Sequence, residues 1–139
     1  FDMGFFSRLA GHVKDLNNMA IAVGNVIALL DRYDETNDGY ALLIAAWLCK
    51  RGIQDVVAAG NLSPVHTINV FVNQRLEKMT VQDAYIKSIG RLSMIAKEMS
   101  DQDSEDILDI INGGDAFDKV DSSLSEDKKQ RLLKQNLTF

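Results

Sequence analysis

The chain has 139 residues, 46% of them apolar and 25% charged, and a formal net charge of −5. This length and balance fit one soluble globular domain that builds a hydrophobic core without metal or disulfide support. One proline and nine glycines supply too few turn residues for a β-sandwich or a barrel.

The first thirty residues carry an apolar stripe with spacings of three and four residues, which predicts a single long helix. Gly24 within it suits close packing in a bundle, whereas a coiled-coil seam would make the chain a homodimer through this helix. Its longest apolar run, Met19–Leu30, is shorter than the roughly 18 residues that a membrane span needs. The stripe consists of Leu9, Val13, Leu16, Ala20, Val23, Ile27 and Leu30.

The polar stretch after this helix resembles the start of a calcium-binding loop. Asp34, Thr36 and Asp38 stand at the first, third and fifth positions, and Gly39 stands at the sixth. The bidentate glutamate of such a loop belongs at position twelve, where this chain has Ala45. We therefore predict a turn in which Asp38 caps the next helix, and no metal site.

The next helix, about residues 38–51, is apolar on every side and should lie at the centre of the fold. We expect Gly52 to end it. Its only cysteine, Cys49, is predicted to be a buried, unreactive thiol, which indicates a reducing, cytoplasmic environment. The predicted core positions are Leu43, Ile44, Trp47 and Leu48.

Ser63 and Pro64 are typical of a helix start, and we predict a helix from there to Met79. Alternating apolar residues between Ile68 and Val72 are also typical of a strand, but the length without a turn signal favours helix. A capping box, Thr80–Asp83, then begins another long helix that ends near Met99.

The last third predicts a helix from Ser100 or Asp101 to Asn112, a linker from Asp115, and a short amphipathic helix capped by Ser125. The fold class is therefore all-α: a compact bundle of five to six helices with an acidic C-terminal segment. We divide the chain into a bundle domain, 1–112, and a charged linker with a C-terminal amphipathic helix, 113–139, packed on the same domain.

Candidate catalytic groups are sparse. The two histidines, His12 and His66, have no cysteine, serine or carboxylate at a recognised spacing, and no nucleotide-binding, hydrolase or zinc motif occurs. We expect no enzymatic activity, no cofactor and no metal.

Charge is distributed unevenly along the chain. Residues 1–100 are neutral, residues 101–127 carry a net charge of −9, and the last twelve residues carry +4. Acids at helix starts account for part of this, and a solvated acidic connector is the plain alternative to a binding surface. Without a basic stripe, nucleic acid binding is not expected. The candidate partner-binding residues are Asp101, Asp103, Glu105, Asp106, Asp109, Asp115, Asp118 and Asp121.

These features favour a small protein-interaction module, such as an adaptor, a chaperone-like binder or an inhibitor or immunity-type protein, that binds a basic protein partner. One alternative is a peripheral membrane protein that inserts Phe5, Phe6 and Leu9 into lipid, although few bases accompany them. Another is an enzyme with an unrecognised carboxylate site. The basic tail could act as a displaceable latch on the acidic segment, or Leu132 and Leu133 could belong to the core.

Overall fold

The computed structural model describes residues 3–60 and 62–138, with side chains described from Val13 onward. Six continuous helical stretches and one two-stranded sheet account for most of this part of the chain. The α-helices are α1 Met3–Thr36, α2 Gly39–Leu48, α3 Asp55–Ala58, α4 Val81–Tyr85, α5 Arg91–Lys97, α6 Asp101–Ile111, α7 Asp115–Ser123 and α8 Glu126–Lys134. The strands are β1 Thr67–Val72 and β2 Arg75–Thr80, and π-helical segments Cys49–Gln54 and Ile86–Gly90 join α2 to α3 and α4 to α5.

Helix α1 is a single long helix, as its apolar stripe predicts. Val23 and Leu30 of the stripe are buried, whereas Val13 is half exposed, so only the second part of the helix enters the core. The helix continues past Leu30 to Thr36 and ends where Asn37 adopts a positive φ of 55°.

Helix α2 occupies the centre, in agreement with its apolar composition. Ile44, Trp47 and Leu48 are buried, and Leu43 is partly buried against the same core. The expectation that Gly52 ends this helix is wrong, because the chain continues through the π-helical segment into α3. A Cβ at Gly52 would lie 2.8 Å from that of Ala22, so this glycine permits close helix packing instead.

The predicted helix from Ser63 to Met79 is wrong, and the fold is therefore mostly helical but not all-α. Strands β1 and β2 pair antiparallel, with Ile68 opposite Met79 and both side chains buried. Asn73 and Gln74 link them with φ values of 50° and 66°, the conformation of a type I′ turn. The alternation of the apolar residues was the correct signal.

Short local caps begin most of the later helices, as predicted. The hydroxyl oxygens of Thr80, Ser100 and Ser125 accept hydrogen bonds from backbone N–H groups three residues further on. The predicted linker from Asp115 is instead helix α7. Its first turn is capped by the Asp109 side chain of the preceding helix.

One stretch of α1, Val13–Thr36, is long and apolar enough to cross a membrane by length and composition. The expectation that no stretch reaches that length is therefore wrong. Half of its most apolar window is buried inside the fold, and the buried core helix of a compact protein meets the same criterion.

Candidate functional site

The eight predicted partner-binding acids lie on α6 and α7, and half of them already have partners within the fold. Asp103 accepts a hydrogen bond from the Ser100 hydroxyl at 2.8 Å, which completes the cap of α6. Asp106 accepts one from the Gln102 amide at 3.2 Å on the same helix. These two carboxylates are exposed but serve local helix structure.

Asp109 joins α6 to α7. Its Oδ2 accepts a hydrogen bond from the Ala116 N–H at 2.7 Å, and its backbone carbonyl accepts one from the Gly114 N–H. The N-cap residue Gly114 has no side chain of its own, so the Asp109 carboxylate performs the capping role. Asp109 therefore has a structural role as the cap of α7. The sequence did not predict this role because the capping side chain comes from another helix.

Asp121 is attached to the central helix. It accepts a hydrogen bond from the Trp47 indole N–H at 3.0 Å and another from the Lys129 ammonium of α8 at 3.2 Å. The Trp47 hydrogen bond, helped by the Lys129 hydrogen bond and charge, holds the pKa of the Asp121 carboxyl below its usual value against partial desolvation. Asp121 therefore connects α7, α2 and α8.

The other four predicted acids are exposed: Asp101 and Glu105 on α6, and Asp115 and Asp118 on α7. None has a side-chain hydrogen bond or an ion pair among the described residues. Leu108, three residues after Glu105 and so on the neighbouring part of the helix surface, is 46% exposed. This part of the acidic segment combines unpaired negative charge with an exposed apolar side chain.

The basic tail is attached to the core by Leu132 and Asn25, in addition to the Lys129–Asp121 pair. Leu132 is buried, and its carbonyl accepts a hydrogen bond from the amide of buried Asn25 in α1. The same amide donates to the Gln135 carbonyl and accepts from the Leu137 N–H, and all three distances are 2.8 Å. These contacts support the alternative in which the tail is a structural part of the fold. They are not the weak surface ion pairs that a displaceable latch would use.

A cavity of about 270 Å³ lies beside Asn25, between α1, the hairpin turn and the residues after α8. Its lining combines the carboxylates of Asp31 and Glu35 with the Arg32 guanidinium and the Asn73 side chain. Asp31 already pairs with Arg91 at 2.7 Å. With acids, a base and amides mixed on its walls, the cavity selects no single class of ligand.

The resemblance to a calcium loop has a different structural explanation. Asp34 lies within α1 and pairs with Arg91 at 2.6 Å, and Asp38 caps α2 by accepting from the Tyr40 N–H at 3.0 Å. The predicted cap at Asp38 is confirmed, but the predicted helix end after Leu30 is wrong, because α1 continues through Asp34 to Thr36 and only the short turn at Asn37 separates it from the cap. Among the side chains that the structure describes, from residue 13 to 60 and from 62 to 138, no group of three or more His, Cys, Asp or Glu is placed to hold a metal ion.

The remaining reactive side chains serve structure. Cys49 is free and buried, and burial raises the pKa of its thiol far above the usual range. His66 accepts a hydrogen bond from the Ser63 N–H through Nδ1, which shapes the loop before β1. The side chains of His12 and of Phe5, Phe6 and Leu9, the residues of the membrane hypothesis, lie outside those that the structure describes.

Comparisons with protein-family models, with curated proteins and with solved structures find no match for this chain.

Proposed function

We propose that this chain is a small non-catalytic protein-interaction module that binds a basic protein partner through the exposed carboxylates of α6 and α7. The observation that carries this proposal is the division of the acidic segment, residues 101–127, into two groups. Four of its eight candidate acids serve the fold, whereas Asp101, Glu105, Asp115 and Asp118 are exposed without partners in the described part of the chain. Their charge is available to another molecule.

The exposed Leu108 defines the partner further. Interfaces combine an apolar centre with charged groups around it, and charges mainly raise the association rate and select the partner. An apolar side chain next to Glu105 therefore suits an amphipathic basic segment better than a uniformly charged one. Such a module could serve as an adaptor, a chaperone-like binder or an inhibitor or immunity-type protein, and the buried free Cys49 fits a cytoplasmic setting.

The binding experiment compares two variants that change the net charge equally. The test variant carries Glu105→Gln, Asp115→Asn and Asp118→Asn. The control variant carries Glu35→Gln, Asp83→Asn and Glu98→Gln, three exposed acids outside the acidic segment. The probe is a synthetic helical peptide with lysines on one face and leucines on the other, and binding is measured by isothermal titration calorimetry at low and high salt.

We expect the test variant to lose about tenfold or more in affinity at low salt, because three exposed pairs contribute up to about 1 kcal/mol each. The control should lose less than about threefold, and added salt should reduce the difference. Equal losses in both variants would show that only net charge matters, and the proposed surface would be wrong. Affinity capture from native lysate with wild type and the test variant then identifies the partner that depends on these acids.

A further inference from the structure

The outer edge of β2 is an exposed strand edge. Helix α1 packs against β1 so closely that a Cβ at Gly24 would lie 2.8 Å from the Phe71 carbonyl oxygen. Strand β2 lies on the other side of the hairpin, and its residues 75–78 are all exposed. The sheet has two strands, so among the described residues no third strand pairs with β2.

The register shows which backbone groups of β2 point outward. Across a two-residue turn, Val72 and Arg75 form the first hydrogen-bonded pair, and hydrogen-bonded and non-hydrogen-bonded pairs then alternate. Leu76 and Lys78 fall in non-hydrogen-bonded pairs, so their N–H and C=O groups point away from β1. These groups can pair with another strand.

Leu76 is the one apolar residue among the exposed residues 75–78 of β2. Strand edges are commonly protected by charged side chains, yet Leu76 is 71% exposed, next to its cross-strand neighbour Phe71. The flanking residues on β2 are Arg75 on one side and Glu77 and Lys78 on the other. The edge therefore carries one apolar residue within a short pattern of mixed charge.

That pattern is self-complementary in one antiparallel register. When Leu76 pairs with Leu76 of a second copy, each Arg75 lies opposite the Glu77 of the other copy. A register that pairs Leu76 with Lys78 places Glu77 against Glu77, and one centred on Lys78 places two lysines together. Opposite charges stabilise a cross-strand pair and like charges destabilise it, so the charges select the register centred on Leu76.

We propose that two copies of this chain pair antiparallel through β2, centred on Leu76, and form a four-stranded sheet. In that sheet Phe71 and Leu76 of both copies form one apolar row across the four strands. Glu77 lies 3.7 Å from Lys87, but both side chains are exposed and such a pair is weak enough to yield to Arg75 of the second copy. The interface is small, so the dimer forms in a concentration-dependent equilibrium. It does not involve the acidic segment.

The test measures self-association of the full chain by analytical ultracentrifugation, with Arg75→Glu and Glu77→Arg separately and mixed. Each variant alone opposes like charges at both flanking positions, and we expect its self-association to weaken by about tenfold or more. In the mixture one copy carries two acids and the other two bases, so association should return to within about threefold of the wild type. Association of the wild type, its loss in each variant alone and its recovery on mixing together form the pattern expected for antiparallel pairing in this register.

Circular dichroism and Trp47 fluorescence check that each variant is folded, and Leu76→Thr, which should also weaken the dimer, replaces any variant that is not. Lys87→Ala is the matched control and should not weaken self-association, because it removes only the weak intrachain pair that competes for Glu77. A wild type that remains monomeric to about 1 mM, the weak end of specific association, would overturn the proposal. So would a dimer insensitive to the edge variants, which would place the contact elsewhere, for example on α1, or a mixture that fails to associate.

Discussion

The β-hairpin and the C-terminal helix α8 are attached to α1 at adjacent residues and by opposite means. At Gly24 the absence of a side chain lets the Phe71 carbonyl of the hairpin approach the helix. At Asn25 the side-chain amide makes three hydrogen bonds to the backbone of Leu132, Gln135 and Leu137. One attachment depends on shape and the other on buried polar groups.

The two attachments should respond differently to damage. A methyl group at Gly24 would lie 2.8 Å from a backbone oxygen, so the strand or the helix must shift, and the cost depends on how far the surroundings relax. The three hydrogen bonds of the buried Asn25 amide, one buried and two partly buried, leave several polar groups unsatisfied when they are lost together. We therefore expect α8 to be the more essential of the two elements for stability.

The largest expected effect comes from deletion of residues 125–139. Loss of a buried leucine such as Leu132 costs about 2–5 kcal/mol, and leaving the Asn25 amide without partners costs about 1–3 kcal/mol more. This sum is a large part of the 5–15 kcal/mol typical of a whole domain. Urea unfolding should therefore show a severely destabilised or unfolded protein.

Asn25→Ala isolates the polar part of that loss, because it leaves α8 and Leu132 in the chain. We expect about 1–3 kcal/mol of destabilisation by urea unfolding.

If the protein without residues 125–139 loses less than about 2 kcal/mol, Leu132 and Asn25 do not hold the tail. The alternative of a displaceable tail would then be favoured.

The next effect concerns the hairpin attachment. Gly24→Ala places a methyl group 2.8 Å from the Phe71 carbonyl oxygen, and we expect it to cost about 1–3 kcal/mol as the strand shifts. Gly39→Ala is the control, since a Cβ at the start of α2 meets nothing within 4 Å, and it should change stability by less than about 0.5 kcal/mol. Equal effects would mean that helix propensity, rather than the close approach, determines the result.

Much of the helical framework could be predicted because its signals are local. Thr80, Ser100 and Ser125 cap the helices that follow them, and the apolar run of α2 requires burial on all sides. The hairpin could not be predicted with the same rules, because Asn73 is followed by glutamine where glycine usually completes this turn. Helix α7 was missed because its cap comes from another helix.

The roles of the candidate acids depend on distant contacts. Asp121 accepts a hydrogen bond from the Trp47 indole, although the two residues are 74 positions apart in the chain. Because they are so far apart, spacing in the sequence cannot predict this pair. Asn25 did carry a signal, since an amide within the apolar run Met19–Leu30 must find partners when it is buried. Which partners it finds depends on how the chain folds back.

A smaller effect should appear on the C-terminal side at acidic pH. The pKa of Asp121 is lower in the folded protein than in the unfolded chain, where it is near the ordinary value of about 3.9. The stability that ionised Asp121 adds to the fold is therefore fully present above the unfolded-chain pKa, and it is lost as the pH falls through the lower pKa of the folded protein. Asp121→Asn keeps an acceptor for Trp47 but removes the charge facing Lys129.

Urea midpoints should be measured from neutral pH down to about pH 3. The wild type should be more stable than Asp121→Asn at neutral pH, and this difference in stability should shrink as the carboxylate becomes protonated. Asp118→Asn is the matched control on the same helix, where the carboxylate is exposed and has no partner among the described residues. If both variants show the same pH dependence, the effect reflects net charge rather than the contact with Trp47 and Lys129.

The smallest effect is expected at the hairpin turn, and its sign is opposite. Gln74 has a φ of 66°, a region that costs a residue with a side chain about 1–2 kcal/mol but suits glycine. Glycine also loses more entropy on folding, so Gln74→Gly should stabilise the protein by about 0.5–1 kcal/mol net. Asn73→Gly is the control, and it should gain less because asparagine tolerates this conformation. Urea unfolding measures the stability of both variants. If Gln74→Gly destabilises the protein, the Gln74 side chain, which lines the cavity beside α1, stabilises the fold by more than the turn conformation costs.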